Sequence, residues 1–200
     1  MIDALFPPEP AGLSPTERTI LDAGTTCVRR FGIRRTTLEE VARVAGVSRG
    51  TVYRYFSSKE DLVTAVLAGA ESAFVAETLD AIADEPTLAG KVAANALLLR
   101  DQTRHRLVLG LDETEPETVA VLLTRDVGPL FERWIEVWMP MFAAAAERGE
   151  VRADLDLPRA IEWMLRIMMS LVTTPPVTFD IDDDAAVRSF VTDHLVRGFS

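Results

Sequence analysis

The sequence predicts an all-α protein, and three observations carry this prediction. Residues that cap helices recur along the chain, often with an acidic residue three positions later. Apolar residues between these caps recur at the spacing of a helix face. The chain holds no sustained alternation of apolar and polar residues, which a half-buried strand would show. With 48% hydrophobic residues among 200, the chain can build a sizeable core.

The first helix is predicted to begin after Ser14, which can cap it. Pro15 suits the first helical position, and Glu17 completes a capping box with Ser14. Apolar residues such as Ile20 follow at helical spacing. Gly32 is predicted to end this helix, because glycine readily adopts the left-handed conformation found at helix C-termini.

Two short helices follow, separated by a tight turn. The first is predicted to begin at Thr37, with Glu40 at the capping-box position, and to end at Gly46. Only Val47 separates Gly46 from Ser48, which caps the next helix. A short helix, a turn containing glycine and a second short helix together predict a helix-turn-helix unit.

A longer helix is predicted to begin at Ser57 or Ser58 and to end near Ala83. The rest of the chain is also predicted to be helical. This gives an N-terminal three-helix domain with a helix-turn-helix, joined by a long helix to a larger C-terminal helical bundle. We place the later helices at residues 86–110, 116–125, 128–148, 158–174 and 184–198.

Charge is distributed unevenly along the chain. The whole chain carries a formal net charge of −10, yet residues 16–60 carry nine basic and five acidic groups, a net charge of +4. The remainder therefore carries −14. Such an asymmetry directs attention to the basic segment as a surface for an anionic partner, despite the overall charge.

The chain has one cysteine, Cys27, which excludes an intrachain disulfide and is typical of a protein from a reducing compartment. The N-terminus, MIDALFPPEP, lacks the basic residues of a secretory signal. Apolar stretches such as Met164–Thr173 fall short of the roughly 18 residues needed to span a bilayer. We therefore expect a cytoplasmic protein. The excess of arginine over lysine, 19 against 2, favours a bacterial source with a GC-rich genome.

The second helix of a helix-turn-helix unit lies in the major groove of DNA, and its N-terminal residues contact base edges. At this end Arg49 can bind guanine bidentately, and Thr51 can contact a thymine methyl group or a phosphate. Gly50 costs about 1 kcal/mol of helix propensity relative to alanine, but it lets the backbone approach DNA closely. Tyr53 and Tyr55 have polar tips that can bind phosphates.

The starts of the two neighbouring helices can also bind phosphates, because exposed amides and the helix dipole favour an anion there. Thr37 and Lys59 occupy these positions. Phosphate contacts of this kind position the recognition helix without reading sequence themselves. The predicted DNA-binding residues are Thr37, Ser48, Arg49, Gly50, Thr51, Tyr53, Arg54, Tyr55 and Lys59.

Residues 16–67, and above all the stretch TTLEEVARVAGVSRGTVYRYFSSKEDLVTAVL, resemble the DNA-binding domain of TetR-family transcriptional regulators. The resemblance implies an all-helical homodimer with a variable C-terminal ligand domain that represses genes near its operator. It also implies that Ser48–Thr51, Tyr53 and Lys59 touch DNA. We accordingly divide the chain into an N-terminal arm that is partly disordered, a helix-turn-helix DNA-binding domain, and a ligand-binding and dimerisation domain, at residues 1–13, 14–60 and 61–200.

The resemblance further implies a dimer interface, because helices 158–174 and 184–198 match the place where the family dimerises through a four-helix bundle. The ligand site is marked by aromatic and methionine side chains, which suit an adaptable pocket for a hydrophobic or amphipathic small molecule. The same side chains are equally compatible with a plain hydrophobic core. The candidate ligand-binding residues are Asn95, Arg100, Trp134, Trp138, Met141, Met164 and Met168.

The sequence therefore predicts a ligand-responsive regulator, a repressor that its small-molecule effector releases from palindromic double-stranded operator DNA. One alternative is a helical ligand-binding or interaction protein that does not bind an operator. An enzyme is disfavoured, because the chain has two histidines and no metal-ligand spacing or glycine-rich phosphate loop. We expect no metal, no cofactor and no membrane partner.

Overall fold

The computed structural model describes residues 12–106, 115–118, 120, 127–174 and 176–199. Its regular elements over these residues are all helical, and the predicted all-α class is confirmed. The predicted N-terminal arm, residues 1–13, lies outside the described residues except for its last two. The same holds for most of the helix predicted at 116–125, of which residues 116–118 and 120 are helical.

Eight α-helices are described, and their order follows the prediction. The last of them continues into a π-helical turn, Val191–Leu195, and a 3-10 turn, Val196–Phe199, so the final helix predicted at 184–198 changes its hydrogen bonding along its length. The helices are α1 (Pro15–Arg35), α2 (Leu38–Ala45), α3 (Arg49–Tyr55), α4 (Lys59–Ile82), α5 (Leu88–Arg106), α6 (Gly128–Glu147), α7 (Leu157–Thr173) and α8 (Asp184–Phe190).

The start of α1 has the predicted capping box. The backbone N–H of Glu17 donates to Ser14 Oγ at 3.2 Å, and the N–H of Ser14 donates to the Glu17 carboxylate at 3.4 Å. The predicted end at Gly32 is only partly right. Gly32 has φ +80° and ψ 169°, which kinks the chain, but helical residues continue to Arg35 beyond the kink.

The turn between α2 and α3 is built from the predicted residues. Gly46 adopts the left-handed conformation, with φ 68° and ψ 26°, and its N–H donates to the carbonyls of the last turn of α2. The N–H of Val47 donates to the carbonyl of Ala42 at 3.1 Å. Ser48 then caps α3, because its Oγ accepts from the N–H of Thr51 at 3.0 Å. These local bonds fix the direction in which α3 leaves the turn.

The chain divides into two compact units. The N-terminal unit comprises Met1–Phe74 and Arg106–Pro129, and the C-terminal unit comprises Val75–His105 and Leu130–Ser200. The domain boundary predicted between residues 60 and 61 stays a prediction. The core of the N-terminal unit is formed by Ile20, Ala23, Cys27, Val28, Leu38, Val41, Ala42, Val52, Phe56, Leu62, Val63, Val66 and Leu67.

Helix α4 corrects the expectation that every apolar stretch is too short to span a bilayer. By length and composition alone Lys59–Ile82 could do so, because a window of 18 residues within it has a mean hydropathy of 1.5. However, Leu62, Val66 and Leu67 of this helix are buried in the core of the N-terminal unit. Packing in this core therefore accounts for part of the apolar character of α4, of whose apolar window 33% is buried.

Cys27 is fully buried, and this burial raises the pKa of its thiol. Because the thiolate is the nucleophile, both effects suppress its reactivity. We expect iodoacetamide to leave Cys27 unmodified in the folded protein at pH 8 and to modify it fully in urea, as measured by intact mass. Complete modification of the folded protein within minutes would contradict the burial of this side chain.

Candidate nucleic-acid interface

Helix α3 has one buried side and one exposed side. Val52 is fully buried and Phe56, just beyond the helix, is 6% exposed, so these two residues anchor α3 to the core of the N-terminal unit. Tyr53 is 48% exposed and lies on the opposite, accessible side. The exposed residues of this segment are Ser48, Arg49, Gly50, Tyr53 and Arg54, all of them predicted to bind DNA. We call them the α3 face.

The packing of the protein does not require a glycine at position 50. Among the described residues, a Cβ atom placed there would meet only Ser48 Oγ, at 3.8 Å, which is an ordinary contact. Gly50 also has no positive φ, unlike Gly32 and Gly46. The described part of the fold therefore gives no reason for a glycine in the first turn of α3, and its predicted contact with DNA stays a prediction.

Ser48 and Thr51 form the cap of α3. Besides the bond from the Thr51 N–H, the two hydroxyl oxygens lie 2.8 Å apart and share a hydrogen bond. This gives both residues a structural role that does not depend on DNA. Their predicted DNA contacts stay predictions, and Thr51 is half-buried.

The guanidinium of Arg49 is paired with a carboxylate of the preceding helix. Its Nη2 donates to Oε1 of Glu39 in the first turn of α2. Both side chains remain largely accessible, at 66% exposed for Arg49 and 42% for Glu39. The pair links the starts of the two helices of the helix-turn-helix. Glu39 was not among the residues predicted from the sequence, although an acidic residue ten positions before Arg49 was the available signal.

The hydroxyl of Tyr55 is engaged within the protein. It accepts a hydrogen bond from Ser14 Oγ at 3.3 Å, and the guanidinium of Arg54 lies over its ring at 5.1 Å from the centroid. The hydrogen bond from Ser14, followed by that from Arg54, holds the pKa of Tyr55 below its ordinary value. Because Tyr55 accepts in this bond, its own O–H remains able to donate to a phosphate oxygen.

Lys59 lies at the first position of α4, and its ammonium group is held by the end of α1. Its Nζ donates to the carbonyl of Arg34 at 2.7 Å. The nearby amide of Ser58 is already occupied, because it donates to the Asp61 carboxylate at 3.1 Å. Hydrogen bonds from Ser57 and Ser58 hold the pKa of Asp61 below its ordinary value. The Ser58 amide is therefore already bonded within the protein, whereas the Lys59 ammonium group has further donors that a phosphate could accept.

Thr37 caps α2 through its Oγ1, which accepts from the N–H of Glu40 at 3.2 Å. The carboxylate of Glu40 accepts from Arg43 at 2.6 and 3.1 Å. The predicted capping box would direct this carboxylate to the backbone N–H of Thr37. The charge-assisted pair with Arg43 holds it instead. Thr37 itself is exposed at the start of α2, where the prediction places it.

The C-terminal unit contains a small pocket between α5 and α7. Its cavity has room for about one water molecule. Arg100 lines it and is largely buried, with 11% of its side chain exposed. The Arg100 guanidinium binds Asp184 at 2.6 Å and Asp101 at 2.8 Å, which ties α5 to the start of α8. The lining residues are Ala96, Leu99, Arg100, Met168 and Leu171.

Of the predicted ligand-binding residues, the structure brings Arg100 and Met168 together at this pocket. Asn95 is buried and accepts from Thr78 Oγ1 at 3.3 Å. Among the described residues, nothing hydrogen-bonds the buried indole N–H of Trp138. Ala96, Leu99 and Leu171 also line the pocket but were not predicted from the sequence. Ala96 lies four residues before Arg100 and Leu171 three residues after Met168, and this helical spacing was the available signal, whereas Leu99 directly precedes Arg100. Trp134, Trp138 and Met164 are buried and Met141 is half-buried.

The chain is similar to known transcriptional regulators. The model of the family "Bacterial regulatory proteins, tetR family" matches residues 20–66, which include α2, α3 and the start of α4. An uncharacterized HTH-type transcriptional regulator of Mycobacterium bovis is 29% identical over 180 residues, which cover 90% of this chain and 92% of that protein.

Two solved structures share the fold over nearly the whole chain. The TetR family repressor AlkX from Dietzia sp., implicated in biodegradation of n-alkanes, is 24% identical with a TM-score of 0.63, covering 95% of this chain and 97% of its own. The transcriptional regulator FadR from Bacillus subtilis, solved in complex with stearoyl-CoA, is 20% identical with a TM-score of 0.60, covering 92% and 99%.

Proposed function

Because the chain belongs to the TetR family of bacterial transcriptional regulators, we propose that it represses genes near a palindromic operator and is released by an amphipathic effector with a long apolar chain. The observation that carries the DNA-binding part is the α3 face. It combines an exposed tyrosine, two exposed arginines and a glycine that the fold itself does not require. The matched relatives are transcriptional regulators, and we propose no catalytic role for this chain.

We propose that the working unit is a homodimer formed through α7 and the segment from α8 to the C-terminus. Trp163 of α7 is 44% exposed and packs edge-on against Phe199, with ring centroids 5.9 Å apart. An exposed tryptophan supported in this way is typical of a contact surface. Two-fold symmetry would place two α3 helices on half-sites about one DNA turn apart, which is why the operator should be palindromic.

The effector class is supported by the pocket and by the neighbours. One neighbour was solved with stearoyl-CoA, and another is implicated in the degradation of n-alkanes. In this chain the pocket combines four apolar side chains with the charged Arg100. A long apolar chain would contact the apolar side, and an anionic head group could replace Asp184 as the partner of Arg100.

The pocket is too small for such a ligand as it stands. An acyl chain can enter only if Met168 and its neighbours move, and methionine side chains adapt readily to such changes. Binding would therefore favour an expanded C-terminal unit. We propose that this shift is passed on through α4, which is continuous from Lys59 to Ile82, and changes the separation of the two α3 helices. A coupling of about 1–3 kcal/mol would be typical.

The test is a fluorescence-anisotropy titration of labelled DNA flanking the protein's own gene, with stearoyl-CoA as the probe effector. We expect sequence-selective binding that weakens steeply with salt, and release of the DNA by stearoyl-CoA. Arg100→Met should raise the concentration needed for release about tenfold, because a charge-assisted contact is lost. Arg148→Met is the matched control, since Arg148 is 45% exposed, lies outside α7 and α8, and pairs with Glu150 in the described structure.

Two outcomes would redirect the proposal. Binding of stearoyl-CoA without any selective DNA binding would favour a ligand-binding protein that does not act on an operator. Selective DNA binding that stearoyl-CoA leaves unchanged would keep the regulator and reject the proposed effector class.

A further inference from the structure

A buried carboxylate lies in the N-terminal unit, far in sequence from the helix-turn-helix. Glu115 is 3% exposed, and it precedes the helical residues 116–118. A buried carboxylate is costly unless it is paired and hydrogen-bonded. None of the predicted DNA contacts uses this group, so its presence needs a separate explanation.

The partners of Glu115 lie at the end of α1. Its Oε1 accepts from the backbone N–H of Arg34 at 2.6 Å and lies 3.9 Å from Nε of the same residue. Its Oε2 accepts from Thr118 Oγ1 at 3.0 Å. The carboxylate therefore holds one peptide group of α1 in place, with Thr118 fixing the carboxylate in turn.

Gly32 makes room for this contact. A Cβ atom at Gly32 would lie 2.6 Å from Glu115 Oε1, closer than any real contact allows. The φ of +80° at Gly32 is also one that other residues adopt only with strain. The kink in α1 thus both turns the chain and opens the site that Glu115 occupies.

The same residue, Arg34, also holds Lys59. While its N–H is bonded to Glu115, its carbonyl accepts from Lys59 Nζ at 2.7 Å. An ammonium group has three donors, so one bond to Arg34 leaves two for a phosphate. Holding the long side chain in place before binding also lowers the entropy lost when the phosphate is bound.

We propose that Glu115 is a positioning residue for DNA binding, which fixes Arg34 so that the Arg34 carbonyl holds Lys59 ready for a backbone phosphate. The inference rests on the proposed function, because it assumes that Lys59 contacts DNA. The direction in which DNA affinity changes when Glu115 is removed tests this role. If Glu115 acted only through its negative charge, its removal would strengthen DNA binding, whereas loss of positioning weakens it.

The experiment measures operator affinity and its dependence on salt for four proteins: the wild type, Glu115→Ala, Glu115→Gln and Lys59→Met. We expect Glu115→Ala to weaken binding about tenfold on every DNA sequence and to lower the salt slope by about 0.9, the value for one phosphate. Glu115→Gln should largely restore binding, because its amide oxygen can still accept from the Arg34 N–H. Circular dichroism shows whether each variant retains its helix content. Titration at saturating DNA gives the fraction of protein that binds, and affinities are corrected for this fraction.

The double variant Glu115→Ala/Lys59→Met separates positioning from simple destabilisation. We expect it to bind no more weakly than Lys59→Met alone, because Glu115 acts through Lys59. The inference is overturned if Glu115→Ala binds equally or more tightly, if its salt slope is unchanged, or if the two losses multiply. If Lys59→Met itself changes neither affinity nor slope, the proposed phosphate contact fails, and the positioning role fails with it.

Discussion

Arg49→Ala is expected to weaken binding to the operator by about 10- to 100-fold, because a bidentate arginine–guanine contact is worth about 1–3 kcal/mol. Arg49 is exposed in the first turn of α3, where the side chains of a recognition helix reach base edges. The pairing of Arg49 with Glu39 does not reverse this expectation. Exposed ion pairs contribute only about 0–1 kcal/mol, so the contact with the base prevails. Anisotropy titrations against the operator and its single base-pair variants measure the loss.

The pattern of the loss matters as much as its size. Arg49→Ala should flatten the preference at one base pair of each half-site, whereas Lys59→Ala should weaken binding to all sequences alike and lower the salt slope. Arg148→Ala, in the C-terminal unit and outside α7 and α8, serves as a control that removes an equal charge. A uniform loss for Arg49→Ala, with every base preference intact, would show that Arg49 contacts phosphate rather than a base.

Leu62→Ala is expected to lower the free energy of unfolding of the N-terminal unit by about 3 kcal/mol, which is typical for a buried leucine truncated to alanine. Leu62 is fully buried, and its Cδ1 lies 3.3 Å from where a Cβ at Gly24 would be. The site is therefore closely packed against α1, and truncation should leave a cavity. Because Cys27 belongs to the same core, the urea concentration at which it becomes reactive measures the stability of this unit.

Leu79→Ala provides the matched control on the same helix. Leu79 is 43% exposed, so its truncation should cost less than about 1 kcal/mol. Equal shifts of the Cys27 reactivity midpoint in the two variants would contradict the burial of Leu62 in this core.

The features that the sequence predicted well are those governed by short-range chemistry. The caps at Ser14, Thr37 and Ser48 and the left-handed turn at Gly46 each involve residues within about four positions, and the structure contains all of them. Such bonds depend on local side chains and can be recognised without knowledge of the fold.

The contacts that the sequence could not predict join distant segments. Tyr55 meets Ser14 across 41 residues, and Glu115 meets Arg34 across 81. Helical periodicity says which face of a helix is apolar, but not which polar group of another segment it will meet. Gly32 illustrates the difference, because its role as a break in α1 was predictable, while the space it provides for Glu115 was not.

The pocket was only partly predictable for a related reason. Methionine and aromatic side chains at helical spacing line pockets and fill cores alike, so the pattern cannot separate Met168, which lines the pocket, from Met164, which is simply buried. Arg100 stood out because a charged residue on an apolar helix needs a partner, and the structure supplies that partner in Asp184.

At position 50, the residue that would best stabilise α3 differs from the residue that the proposed contact with DNA favours. The interior offers no reason for a glycine there, and almost any other small residue would make α3 more helical by up to about 1 kcal/mol. A search for stabilising substitutions guided by the fold alone would therefore choose this position early. On the proposed DNA face, the methyl group added by Gly50→Ala would keep the α3 backbone away from the operator. A substitution chosen to raise stability would therefore weaken operator binding.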